Sequence, residues 1–291
     1  PHAMELLEYA YGPQLRTAGI HSRQIKGQIL EYGFELDELC APLLAAGQWH
    51  ALHVDQPVWD HPTILDGINE LLGRLRKWRD PNTALYHTEL MPTDDLVVEG
   101  RSILTYNNAL VLQTLRLLLP ILQRTESPHA SWAASEIDAI PSAIAEHLVR
   151  DGVYQWSTDL TGKHEFYDEA AGSLMLLSYY GLCSTHDDVF QRTAERLYSD
   201  KYPYRLPGPF SELGNRHTDG SLSGVRVEEG LDFLRRAPMD NGIACESVDV
   251  ETGLPASGDH FGTCAGFVAH AICHGTGVYT EKPVPEMTRK N

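Results

Sequence analysis

Residues 96–124, LVVEGRSILTYNNALVLQTLRLLLPILQR, decide the fold class. After Tyr106-Asn107-Asn108 the run Ala109, Leu110, Leu112, Leu115, Leu118 and Leu119 is apolar on most faces of a helix. A helix of that kind has to be buried against other elements. The stretch therefore predicts a long internal helix, with Pro120 kinking or ending it. Just ahead of it stands Pro92-Thr93-Asp94-Asp95. Aspartate suits a helix N-cap, and an anion suits the positive end of the helix dipole. One of the two aspartates is expected to cap, which leaves the other free for chemistry.

Outward from this helix, more helices alternate with long loops. Residues 21–46 carry Ile25, Ile29, Leu30, Phe34, Leu36, Leu39, Leu43 and Leu44 at helical spacing, with Gly33 and Pro42 expected to split them. Residues 49–62 read as an aromatic, proline-bounded loop. Residues 63–79 are amphipathic through Ile64, Ile68, Leu71, Leu72 and Leu75, with Arg74, Arg76, Lys77 and Arg79 at the end that favours cations. Asp80-Pro81-Asn82 starts a turn. Further helices are expected over 131–150, broken by Pro141, and over 170–181, 187–199, 223–236 and 260–274. Residues 151–162 read as a turn-rich loop or a short hairpin, and convincing strands are otherwise almost absent. Helical hairpins joined by long loops point to an all-α protein, an α/α toroid in which loops at one end build the pocket.

Composition narrows the function classes. The chain has 291 residues, 42% of them hydrophobic and 22% charged, as in an ordinary globular protein. Its formal charge of −17 argues against nucleic acid and anionic membranes, which both need a basic footprint. Five cysteines without a CxxC pair predict no disulfide framework and a reducing, cytoplasmic setting. No apolar run approaches a membrane span. Pro1-His2-Ala3 reads as a tag remnant, and residues 4–291 as one helical domain. A homo-oligomer is left open.

The chemistry gathers in three loops. Residues 237–253, APMDNGIACESVDVETG, place Asp240, Asn241, Glu246, Asp249 and Glu251 close together, with apolar neighbours around Glu246. Such neighbours raise a carboxyl pKa or aim a carboxylate into a cavity. By itself the stretch reads as an acidic interhelical loop. With Asp94 or Asp95 it supplies two carboxyls far apart in sequence, as hydrolysis of a glycosidic bond requires. Tyr167-Asp168-Glu169 precedes another helix start, where one acid caps and the other is available to a sugar hydroxyl. Loop aromatics, among them Trp156 and Tyr167, suit the floor of a carbohydrate site or plain packing. His270 and His274 are spaced i, i+4 near Cys264 and Cys273, a spacing that zinc accepts. No HExxH motif and no third ligand accompany them, so no metal or other cofactor is expected. Cys245 lacks an orienting histidine and reads as a buried small residue.

Taken in order, PTDD before a Tyr-Asn-Asn-Ala-Leu helix, YDEAAGSLMLLSYYGL, YPYRLPGPFSELGNRH and ACESVD resemble the metal-independent exo-α-mannosidases of glycoside hydrolase family 125. The resemblance implies an (α/α)6 barrel that removes terminal α-1,6-linked mannose with inversion; about eight to ten helices by periodicity fall short of the twelve of such a closed barrel, so an incomplete toroid is part of the expectation. It maps the family's general acid to Asp94 or Asp95, and its general base to Glu246 in Glu246-Ser247-Val248. It implies substrate contacts at Tyr106, Asn107, Tyr167, Asp168, Glu169, Glu212, His217, Asp240 and Asn241, and an oligosaccharide or glycoside as partner. The family's Trp-x-Arg-Asp segment has no match in this reading. The rival expectations are another carbohydrate enzyme on the same toroid, such as an unsaturated glucuronyl hydrolase, a glycoside phosphorylase or a sugar epimerase, and a non-catalytic carbohydrate-binding remnant.

Overall fold

The computed structural model describes residues 2–14, 33–53, 55–90, 103–167, 174–199, 202, 209, 235–236, 245, 247–249, 251–257, 266, 268–269 and 272. The chain divides into two compact units, Pro1–Tyr167 with Tyr180–Leu182, and Asp168–Tyr179 with Cys183–Asn291. The first unit holds helices α1 (His2–Tyr9), α2 (Leu36–Leu52), α3 (Pro62–Leu75), α4 (Thr105–Arg124) and α5 (Ala130–His147). Short antiparallel strands accompany them: β1 (Ile103–Leu104), β2 (Val149–Arg150), β3 (Val153–Tyr154), β4 (Ser157–Thr158) and β5 (His164–Glu165). In the second unit lie helix α6 (Asp188–Leu197), and strands β6 (Ser247–Val248) and β7 (Pro255–Ser257), which pair antiparallel.

Helix α4 is the internal helix that the sequence predicts, and it packs against α2 and α5. Ala109, Val111, Leu112, Leu115, Leu118 and Ile121 on it are wholly buried. Pro120 neither ends nor breaks it, and α2 runs through Pro42 and α5 through Pro141 in the same way. Each proline removes one N–H, but the apolar burial along these helices outweighs that loss. The expected break at Pro42 and the expected loop from Trp49 onward are therefore replaced by one helix, Leu36–Leu52. It approaches α4 closely at Gly47, where a Cβ would come within 2.6 Å of the Leu117 Cβ.

The start of α4 corrects a second expectation. The helix begins at Thr105, and its N-cap position is held by Leu104, with no side-chain cap. Neither Asp94 nor Asp95 occupies that position, because β1 intervenes. Residues 91–102 lie outside the described residues. Short strands gather around the turn-rich stretch where a hairpin is one of the expectations. Asp151 and Gly152, both at positive φ (53° and 76°), turn β2 into β3, and β1, β4 and β5 form a three-stranded sheet in the order β1-β4-β5. Two consecutive residues at positive φ are what a tight hairpin turn demands. In the second unit, Asp187 caps α6 through Val189 and Phe190 amides, as expected of a helix over 187–199. The expected short helix over 170–181 is, in its described part, a 3-10 turn at Leu174–Leu177, with Gly181 at φ +70°. The expected helices over 223–236 and 260–274 lie almost entirely outside the described residues.

One buried ionic group ties the first unit together. Arg79, just past the 3-10 turn Arg76–Trp78 that ends α3, donates from Nε to both carboxylate oxygens of Glu136 on α5, at 3.0 and 2.9 Å. The Tyr86 hydroxyl donates to the same carboxylate at 2.7 Å. Burial, then the Glu136 carboxylate, pushes the Tyr86 hydroxyl pKa far up, so it stays a donor. Arg79 is thus not part of a cationic helix end, as the sequence suggested. The turn expected at Asp80 is present: its carboxylate accepts from the Asn82 and Thr83 amides at 2.9 Å each. Removing the Glu136 carboxylate leaves the buried Tyr86 hydroxyl without its acceptor, at about 1–3 kcal/mol, while the partly exposed Arg79 guanidinium can turn to water. Glu136→Ala is expected to lower the unfolding free energy by about 1–3 kcal/mol in urea denaturation. A loss below about 0.5 kcal/mol, the range of ordinary surface substitutions, would contradict the assignment.

Candidate active site

The first turn of α4 and the segments that brace it form the best-defined polar locale among the described residues. Asn108 is wholly buried and fully used. Its Oδ1 accepts from the Tyr86 amide at 2.7 Å, and its Nδ2 donates to the Tyr86 carbonyl at 3.2 Å and the Leu104 carbonyl at 2.8 Å. On the other flank, the Thr105 amide donates to the Trp156 carbonyl at 3.0 Å, and the Thr105 hydroxyl bonds the Gln155 carbonyl. Strand β4 then lies against β1, with Leu104 opposite Ser157 and Ile103 opposite Thr158.

Residues 88–90 are held as firmly. Glu89 and Leu90 amides donate to the Phe34 carbonyl, and the Phe34 amide donates to the Glu89 carboxylate at 2.9 Å. The Leu36 amide donates to the Thr88 hydroxyl at 3.2 Å. The described residues that flank 91–102 are therefore anchored, Leu90 to the start of α2 and Ile103 to β4.

Three of the proposed substrate contacts are described. Tyr106 is half-buried and meets Tyr180 edge-on, with ring centroids 5.7 Å apart. Asn107 is wholly buried, and neither its Oδ1 nor its Nδ2 has a hydrogen-bond partner. Tyr167 packs against Leu104 and Trp156 and meets the Trp156 ring edge-on at 5.4 Å. Asp94, Asp95, Glu246, Asp168, Glu169, Glu212, His217, Asp240 and Asn241 lie outside the described residues. The described part of 237–253 includes a strand pair, in which Ser247–Val248 lies against Pro255–Ser257 with a bulge between Ser247 and Val248. Asp249 closes the turn between them, accepting from the Glu251 and Thr252 amides at 3.1 and 2.8 Å. Those bonds, Thr252 first, hold its carboxyl below the ordinary aspartate value. Asp249 is therefore a turn residue. Cys245, read as buried, is half-buried. Burial pushes the Cys40 thiol up to about 12, which removes it as a nucleophile.

Sequence reasoning missed Asn108, Arg79 with Glu136, and Ser157. For Ser157 a signal exists: Val153, Tyr154, Trp156 and Thr158 are strand-forming residue types next to a turn. Nothing in the sequence marks Glu136 as the partner of Arg79. Among the described residues no group of three or more His, Cys, Asp or Glu side chains converges as metal ligands would, and no helix is long and apolar enough to cross a membrane.

Comparison with known proteins gives the family. Residues 73–222 match the metal-independent alpha-mannosidases, glycoside hydrolase family 125, and the chain belongs to that family. It is in consequence a glycoside hydrolase by family, of the alpha-mannosidase type. A solved structure from Streptococcus pneumoniae, a metal-independent alpha mannosidase in a non-productive complex with alpha-1,6-mannobiose, is 17% identical at a TM-score of 0.72. That match covers 95% of this chain and 80% of the other, and the fold is the (α/α)6 toroid expected from the sequence. A glycosyl hydrolase family 88 protein from Bacteroides vulgatus is 14% identical over 94% of this chain and 67% of its own, at a TM-score of 0.40, too distant to bear on the fold. No curated protein matches the sequence. The matched span includes Asp94, Asp95, Tyr106, Asn107 and Tyr167, whereas Glu246 lies beyond it.

The clamp at Asn108 has a measurable weight. Asn108→Ala leaves the Tyr86 amide and carbonyl without their side-chain partner in a buried setting, at about 1–3 kcal/mol for each such group. The expected outcome is a loss of at least about 2 kcal/mol in chemical denaturation. A variant as stable as the parent would show that these bonds do not hold the first turn of α4.

Proposed function

We propose that the protein is an exo-acting, inverting α-mannosidase that works without a metal, with an α-linked mannoside or mannose-terminated oligosaccharide as substrate. The observation that carries this reading is the family match over residues 73–222, which spans Pro92–Asp95 and the first turn of α4. Supporting it, the residues on both sides of 91–102 are anchored, so the segment bearing Asp94 and Asp95 leaves and re-enters a fixed frame. The alpha-1,6-mannobiose in the Streptococcus pneumoniae relative is consistent with the substrate class.

In this reading Asp94 or Asp95 donates a proton to the glycosidic oxygen as the C1–O bond breaks. Glu246 takes a proton from a water that attacks C1 from the opposite face. Atoms balance: one water is consumed, and mannose and the shortened glycoside leave. Inversion needs the two carboxyls roughly 6.5–9.5 Å apart, so that the water fits between base and sugar. Tyr106, Asn107, Tyr167, Asp168, Glu169, Glu212, His217, Asp240 and Asn241 would bind hydroxyls of the terminal sugar. The reading includes a single catalytic domain and a reducing, cytoplasmic setting, in line with five sparse cysteines.

The test is steady-state hydrolysis of an aryl α-mannoside and of α-1,6-mannobiose by Asp94→Asn, Asp95→Asn and Glu246→Gln. Loss of a general acid or base is expected to lower kcat about 10²–10⁴-fold. One aspartate variant and Glu246→Gln should fall in that range. The other aspartate variant should keep most of its activity. Unchanged kcat in Glu246→Gln would remove that residue from the mechanism. Sugar binding without turnover in the parent protein would replace the enzyme reading by the carbohydrate-binding one.

A further inference from the structure

Arg116 lies half-buried in the middle of α4. Burial holds its guanidinium below the ordinary arginine value, and no carboxylate among the described residues offsets that. In a chain of formal charge −17 acidic partners are plentiful, yet this side chain is spent on a backbone carbonyl. Its Nη1 donates to the Gly181 oxygen at 2.6 Å. A hydrogen bond from a charged donor is shorter and stronger than one between neutral groups. Gly181 stands at φ +70°, a conformation that suits glycine. A Cβ at that position would come within 3.4 Å of Arg116 Nη1 and 3.6 Å of Gln113 Oε1. The backbone of residue 181 is therefore pinned close against α4.

Tyr180 is the residue just before the pinned glycine. Its ring meets Tyr106 edge-on, with centroids 5.7 Å apart and the planes at 73°. Residues Tyr180–Leu182 belong to the same compact unit as α4. On α4, Tyr106 and Gln113 are two helical turns apart and share a face, and Arg116 lies about one turn beyond Gln113. The short segment thus touches α4 twice, through the Tyr180 ring at Tyr106 and through the Gly181 carbonyl at Arg116. An edge-to-face pair is directional, but it fixes one ring only as well as the other is held. Here the second ring is held one residue away by a charge-assisted bond. Asn108 fixes the backbone of the first turn of α4, and the Tyr180 ring acts on the side chain that this turn carries. We propose that Arg116, through Gly181 and Tyr180, is a positioning residue for Tyr106, and that it sets the direction in which the Tyr106 ring meets the substrate. This rests on the reading of Tyr106 as a substrate contact. Arg116 itself touches no sugar in this account. Its long side chain and planar donor group suit a reach along the helix to a carbonyl on a neighbouring segment.

The experiment measures kcat and KM for an aryl α-mannoside, mannose affinity by calorimetry, and the thermal midpoint. It uses the parent protein, Tyr106→Ala, Arg116→Ala, Arg116→Lys, Tyr180→Leu and the double variant Tyr106→Ala with Arg116→Ala. Loss of a contact made alike in the ground and transition states moves KM alone, so Tyr106→Ala is expected to raise KM about tenfold with kcat near the parent value. Arg116→Ala and Tyr180→Leu should each raise it about threefold, and mannose affinity should fall by the same factors. Arg116→Lys keeps an N–H donor for the Gly181 carbonyl and should recover most of the loss. The double variant should match Tyr106→Ala, because Arg116 acts only through that ring. Tyr180→Leu leaves α4 untouched, which keeps the test in force should Arg116→Ala not fold. A raised KM in Tyr106→Ala beside parental KM in Arg116→Ala and Tyr180→Leu would overturn the proposal. So would a lowered thermal midpoint with KM intact, or effects that multiply in the double variant, since Arg116 would then serve only structure. Parental KM in Tyr106→Ala, or a parent that neither cleaves the mannoside nor binds mannose, would remove the reading of Tyr106 and the proposal with it.

Discussion

The amide of Asn108 is the constraint on which the rest of the first unit depends. One side chain holds the Tyr86 backbone by both its amide and its carbonyl, and holds the Leu104 carbonyl as well. It thereby fixes three things at once: the loop after α3, the strand β1 and the first turn of α4. Tyr86 passes the constraint onward through its hydroxyl to Glu136, and Glu136 passes it to Arg79. Buried hydrogen bonds of this kind contribute modestly when made and cost much when broken. They decide which arrangement is adopted more than how stable it is. Apolar burial along α4 holds the helix in place, and the polar chain sets its register.

Beside this network, the Asn107 amide, the Trp156 indole N–H and the Ser157 hydroxyl are buried without hydrogen-bond partners, as are the Tyr11 hydroxyl and the Thr114 hydroxyl elsewhere in the first unit. Family membership, obtained independently from residues 73–222, puts a carbohydrate enzyme behind the same stretch of chain.

The sequence made part of this legible. The buried helix after Tyr106-Asn107-Asn108, the amphipathic helix after Pro62 and the helix that starts near Asp187 follow from periodicity, and they appear in the structure. The family was readable because its motifs are short and local. What failed was whatever depended on distant partners. Pro42, Pro120 and Pro141 look like helix breaks in a one-dimensional reading, and tertiary burial carries the helices through them. The strands are two or three residues long, too short for alternation to register, and they exist because β1, β4 and β5 find one another. Arg79 reads as a helix-end cation because its partner is 57 residues away. Asn107 was singled out as a sugar contact from the resemblance, but only the structure makes visible that it is unpaired.

The most direct measurement of the central claim is a proton NMR time course of α-1,6-mannobiose with the purified protein in excess chelator. It follows which anomer of mannose appears first from the non-reducing end. The account predicts release that the chelator does not slow, with β-mannose accumulating before mutarotation spreads it to the α form. Release of α-mannose first, release abolished by the chelator, or no release at all would contradict it.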